Sequence, residues 1–131
     1  MPEKLSYNPV HLGHGGSAVT QPEFNGDPDW YEAYSKRHEA DGEEGRLVSL
    51  HSFSESWTMW EMHPVGAEMV LCIKGEIILI QQLSDDTQKR TVLREGEYAI
   101  NPPGVWHTAD IESEASAVFI TAGQGTEHRD R

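Results

Sequence analysis

Residues 46–122 predict an all-β fold, a sandwich or a barrel, and three observations carry that prediction. Strand-length segments recur at regular spacing with turn-forming residues between them, and no helical pattern intervenes. Two runs, 69–73 and 77–80, are apolar at consecutive positions, as strands covered on both faces are. The chain has 131 residues, the size of one domain and enough to bury a proper core.

Taken in order, residues 1–26 are rich in Gly, Pro, Ser and Asn and predict an extended or irregular arm. Its His11 and His14 are candidates for a metal pair, but the surrounding glycines favour a flexible segment without one. A single helix is expected over 28–40. Asp27 suits the cap, Pro28 the first turn, and Trp30, Tyr31 and Tyr34 recur at helical spacing. Lys36, Arg37 and His38 suit its C-terminal half, and Gly42 offers a stop. Its aromatic face is expected to pack on the outside of the strands. Strands are expected at 46–53, 56–63, 68–74, 76–83, 89–94, 97–101, 105–111 and 116–122. The domain plan is therefore an arm and helix (1–45), a barrel (46–122) and a C-terminal tail (123–131).

Charge and composition exclude several classes. The net charge is −12, from 22 acidic and 10 basic residues, which disfavours nucleic acid and anionic membrane surfaces as partners. The run 39–44 reads as a solvated acidic face. Hydrophobic residues make up 37% of the chain and concentrate after residue 46, so the N-terminal region is expected to be looser. Cys72 is the only cysteine. It allows neither an internal disulfide nor a Cys-rich zinc site, and its apolar neighbours suit a buried, inert thiol. No apolar segment reaches signal-peptide or membrane-spanning length, which leads to an expected cytoplasmic location.

Alternation along a strand places Trp57, Met59, Glu61 and His63 on one face. Glu68 opens the next strand after the Pro64–Ala67 turn, and His107 follows the turn at Pro102, Pro103 and Gly104. Two imidazoles and two carboxylates are thus expected in one pocket. His51, in line with Leu47, Ser49 and Phe53, is a further candidate for the cavity or for a satisfied place in the core. Tyr98 and Ile100 are expected to point inward. Trp60 and Trp106 are expected to pack under the helix or at a subunit interface.

These spacings resemble those of the cupin superfamily, specifically its small single-domain members. The family's first motif, G-x5-H-x-H-x3-4-E-x6-G, has its counterpart in Glu61-x-His63-x4-Glu68-x6-Gly75. The second, G-x5-P-x-G-x2-H-x3-N, has its counterpart in Gly96-x5-Pro102-x-Gly104-x2-His107. Glu55, Glu61 and Ile111 stand where the family has glycine, a first metal-binding histidine and asparagine. The resemblance implies a double-stranded β-helix, or jelly-roll barrel, over residues 46–122. It also implies His63, Glu68 and His107 as metal ligands, with Glu61 either a fourth ligand or a catalytic carboxylate.

Physical chemistry points the same way. Two carboxylates facing an apolar interior would raise each other's pKa and lose solvation unless a cation offset them. Two histidines with carboxylate oxygens suit Zn, Fe, Mn or Ni without choosing among them. Affinity is expected to fall as the histidines protonate below about pH 6. The expected function is metal-dependent catalysis on a small organic molecule, by dioxygenation, isomerisation or decarboxylation, with Glu61 or His51 moving a proton. The absence of a cationic cluster near the motifs disfavours phosphorylated substrates. The alternative is a non-catalytic barrel that binds or senses a small molecule. A homodimer is expected, with arm exchange shielding the edge strands.

Overall fold

The computed structural model describes residues 2–131. It shows an all-β jelly roll. The chain enters through β1 (Val10–Leu12) and β2 (Ala18–Thr20), then forms α1 (Pro28–Arg37). Eight strands follow: β3 (Arg46–Phe53), β4 (Met59–Met62), β5 (Glu68–Gln82), β6 (Gln88–Arg94), β7 (Tyr98–Asn101), β8 (His107–Asp110), β9 (Ala115–Thr121) and β10 (Glu127–Asp130).

Two antiparallel sheets share one strand. The 15-residue β5 runs through both, where the sequence had suggested two strands broken at Lys74-Gly75. Its first part, Glu68–Leu71, lies between β7 and β9, and its second, Glu76–Gln82, pairs with β6 and β8. A register shift between Cys72 and Lys74 marks the crossing, the strand irregularity that re-aims a chain from one sheet to the next. Gly75 makes the crossing possible. Its φ of +74° lies in the left-handed region, and a Cβ there would overlap the Glu114 carbonyl.

Alternation builds the interior. Val70 and Cys72 of β5 and Ala115, Ala117 and Phe119 of β9 face inward with Ile77, Leu79 and Leu93. Cys72 is fully buried, as its apolar neighbours predicted, and burial pushes its thiol pKa up. Glu68 lies two residues before Val70, so the same alternation that buries the core also carries Glu68 inside.

The N-terminal segment departs from expectation. It is not a loose arm, because β1 pairs with β2 and with β3 of its own chain, Val10 opposite Val48 and His11 opposite Leu47. Backbone pairing within the chain holds this segment against β3. The helix is shorter than 28–40, ending at Arg37 before a 3-10 turn over Glu39–Glu44. Part of that acidic run faces inward, where Asp41 pairs with His11 at 2.6 Å.

One other expectation fails. Tyr98 and Ile100 point outward, 59% and 46% exposed. Ala99 and Asn101 take the inner face instead, because Asn101 is needed beneath Glu68. Trp60 and Trp106 are half-buried. The Arg129 guanidinium of β10 covers both, 4.4 Å from the Trp106 ring and 5.6 Å from that of Trp60, a cation–π arrangement. Residues 127–130 are thus part of the second sheet, paired with β4.

Candidate metal centre

Strand register assembles the centre. Glu61 of β4 lies opposite His107 of β8, and the Gly104 N–H donates to the His63 carbonyl at 2.9 Å, tying the Pro-Pro-Gly turn to the end of β4. Glu68 lies opposite both Asn101 and Thr121. Glu61, His63, Glu68 and His107 each offer one donor atom within 4.8 Å of the others. All four residues expected at the metal site converge.

Outer partners decide which atoms face the middle. Thr126 donates its hydroxyl proton to the Gly123 carbonyl at 2.8 Å. Its oxygen can then only accept from His63 Nδ1–H, 2.8 Å away. His107 Nδ1–H donates to the Val105 carbonyl at 3.2 Å. Each neutral imidazole therefore presents an Nε2 lone pair to the interior, as metal-bound histidines do. Glu68 is held just as firmly. Asn101 donates to its Oε1 at 3.0 Å and Thr121 to its Oε2 at 2.6 Å, while Gln81 donates to Asn101 at 2.7 Å.

The inner contacts are close but undirected. His63 Nε2 is 2.9 Å from Glu61 Oε1 and 3.1 Å from Glu68 Oε2. His107 Nε2 is 3.6 Å from Glu61 Oε1 and 3.2 Å from Glu68 Oε1. None of these has the direction of a hydrogen bond, and both Nε2 atoms are buried without a partner. Such orphans are rare in folded proteins and ask for an explanation. Donors at 2.0–2.2 Å from one ion stand about 3.0–3.5 Å apart. The observed spacing fits a divalent ion.

The electrostatics agree. Burial alone would raise both glutamates, but close contact with His107 and His63, and their charge, outweighs it and holds both carboxyls well below the ordinary range. Burial would lower the imidazoles, yet Glu61 and Glu68 raise both to about 9. Without metal, the cluster holds protons where a cation would otherwise sit.

A second group, His11, His38 and Asp41, also lies within ligand range, but its nitrogens are accounted for. His11 Nε2–H donates to Asp41 at 2.6 Å, and its Nδ1 accepts from the Tyr34 hydroxyl at 2.6 Å. His38 Nε2 accepts from Gln21 at 2.9 Å, and the His11 and His38 rings stack at 3.8 Å. These bonds clamp β1 to α1 and the turn that follows, so His11 sits on a fixed strand and not on a flexible arm.

A cavity of about 930 Å³ opens onto the centre. Met59, Glu61, His63 and Glu68 line it, together with Trp57, Phe119 and His51. His51 packs against Phe24, Phe119 and Phe53 at 5.2, 5.7 and 6.4 Å, and burial lowers its pKa, against the charges of Glu61 and Glu68.

The sequence reading missed several cavity residues. Tyr31 and Tyr34 were expected only to pack α1 against the strands, yet both line the cavity. Tyr31 lies near enough to the centre that burial, then the charges of Glu61 and Glu68, push its phenol up to about 12. His128 of β10, opposite Glu61, donates to Glu61 Oε2 at 3.0 Å. A helical aromatic looks the same whether it packs or lines a cavity, and His128 follows no motif. Only the fold brings them in.

The cupin domain family matches residues 54–123, more than half of the chain. The chain belongs to the cupin family. No curated protein matches the sequence. Among solved structures, an oxalate oxidase is similar with a TM-score of 0.54 and 21% identity, over 62% of this chain and 44% of that one. Oxalate oxidase in complex with glycolate gives 0.55 and 21%, over 63% and 45%. A cupin superfamily protein from Desulfitobacterium hafniense DCB-2 gives 0.48 and 21%, over 58% and 65%. This cupin spans less than half the length of the oxalate oxidase chains it matches, and at these identities the likeness is one of fold. No helix among the described residues is long and apolar enough to cross a membrane.

Proposed function

We propose that this cupin is a metal-dependent enzyme acting on a small organic molecule, with a divalent ion held by His63, Glu68 and His107 and by Glu61 as the fourth donor. The observation that carries the reading is the pair of buried Nε2 atoms, each presented inward by a bond at Nδ1 and neither hydrogen-bonded to the carboxylates around it. The ion, once bound, supplies Lewis acidity or a place for O2, and the N/O donor set suits Zn, Fe, Mn or Ni alike.

The four donors have different tasks. His63, Glu68 and His107 are almost fully buried and tied to outer partners, which suits permanent ligands. Glu61 is 25% exposed, faces the cavity and has its second oxygen on His128. It is the donor able to yield to a substrate and take up its proton, with His128 passing that proton toward solvent. His51, packed among phenylalanines, serves the cavity wall, and the proton transfer falls to Glu61.

One observation favours a second reading, a non-catalytic barrel that binds or senses a small molecule. Four protein donors close the centre, as in structural metal sites, whereas catalytic sites keep a position open. Two measurements separate the possibilities. Zinc titration by calorimetry should show one tight site per chain in wild type and its loss in the double variant His63→Ala/His107→Ala. Equal binding by the two proteins overturns the metal centre. An aerobic metabolite screen with iron-, manganese- or zinc-loaded protein should then show turnover abolished by chelator and by Glu68→Ala. Stoichiometric binding without turnover assigns the second reading.

A further inference from the structure

We infer that the cavity takes an uncharged aromatic molecule, and exclude organic acids and phosphate esters as its natural ligands; the inference rests on the metal centre above for which end of the cavity is reactive and for the neutralisation of Glu61 and Glu68. Charge comes first. Among the described residues no lysine or arginine lines the cavity, while Glu32, Glu39, Glu61 and Glu68 do. An anion entering it would meet none of the guanidinium or ammonium groups that normally bind carboxylate and phosphate, and would reach the proposed ion only by displacing Glu61. The lining imidazoles are no substitute: His63 is a ligand of the proposed centre, and His128 is taken by Glu61. His11 is committed to Asp41 and Tyr34, and burial lowers the pKa of His38 and His51.

A cation is disfavoured on different grounds. Glu61 and Glu68 are matched by the two charges of a divalent ion, which leaves the inner end neutral overall. Glu32 and Glu39 are exposed at the rim, where water screens them.

The wall is aromatic. Phe24, Tyr31, Phe53, Trp57 and Phe119 line the cavity around His51. Ring contacts run without a break from Phe24 to His51 at 5.2 Å, His51 to Phe119 at 5.7 Å, Phe119 to Trp57 at 6.0 Å, and Trp57 to His107 at 6.3 Å. Rings packed on one another at these separations make a continuous aromatic wall, and a flat π-face laid against it is favoured over a saturated ring of equal size. The volume, about 930 Å³, lies at the roomy end of the range for small organic ligands.

Four probes of one size test this: 2-naphthol, 2-naphthoate, 2-naphthylmethylammonium and decahydro-2-naphthol. Each is titrated by calorimetry into the full chain, zinc-loaded and chelator-treated, for wild type, Tyr31→Leu and Tyr31→Phe. 2-Naphthol should bind about ten times more tightly than each of the other three. Tyr31→Leu should weaken it several-fold and Tyr31→Phe should not. Tighter binding of the acid or the ammonium, equal binding of the saturated alcohol, or no saturable binding of any probe overturns the inference. Failure of the metal centre reads out separately, as a lack of zinc uptake by protein that still binds 2-naphthol.

Discussion

At the scale of residues, His63 and His107 differ from most buried histidines in having only one satisfied nitrogen. Their protonation sets a pH signature. Both are raised to about 9 by Glu61 and Glu68, so their contribution to metal-free stability is full below about pH 6.5 and is lost as pH rises through 9. The carboxyls are depressed, so theirs is present above about pH 4.5 and lost on acidification. Metal must displace the imidazole protons, which reverses the upper limb. The rise in melting temperature caused by saturating zinc is therefore expected to be larger at pH 8.5 than at 6.5. A zinc effect independent of pH would mean that the histidines are not the ligands. This window lies higher than the pH 6 that ordinary histidines suggest, because Glu61 and Glu68 outweigh the effect of burial, a balance that sequence spacing does not size. Glu61, His63, Glu68 and His107 were legible through strand alternation and motif spacing. Asn101, Thr121, Thr126 and His128 were not, because they come from other strands or loops and carry no ligand pattern of their own.

At the scale of elements, β5 and β7 show what periodicity conveys and where it misleads. In β5 the run 77–80 is largely covered, with Ile77, Leu79 and Ile80 buried, whereas 69–73 alternates and ends in the exposed Ile73; Lys74-Gly75 reads as a turn and is a crossing within one strand. Gly75→Ala must place a Cβ against the Glu114 carbonyl at positive φ. It is expected to cost at least about 2 kcal/mol in urea unfolding. Gly96→Ala, also at positive φ but with open space around it, is expected to cost less, about 1 kcal/mol. Equal costs would show that the crossing is not sterically tight. In β7 the apolar alternation has the opposite phase to burial. The inward pair, Ala99 and Asn101, is small and polar, while the outward pair, Tyr98 and Ile100, is large and apolar. Here support of Glu68 outweighs the hydrophobic pattern, and no count of apolar positions reveals that.

At the scale of the whole molecule, the N-terminal third belongs to the first sheet and to the cavity. β1 extends the sheet at β3, and His11, Tyr34 and Asp41 bind it to the segment around α1. The low apolar content of residues 1–26 concealed this, because the segment is held by backbone pairing and buried polar bonds and contributes little to the apolar core. Deleting residues 2–21 removes β1, β2 and His11. It is expected to lower the melting temperature by at least about 5 °C, on the scale of 1–2 kcal/mol for a chain of this size. An unchanged melting curve would show that the segment is not integral to the sheet.

The most direct test is anomalous diffraction from zinc-soaked crystals, recorded on both sides of the zinc edge. A single strong peak about 2.0–2.2 Å from His63 Nε2, His107 Nε2 and a Glu68 oxygen is the expected result. A peak at His11, His38 and Asp41 alone, or none among the barrel strands at saturating zinc, would contradict the metal centre.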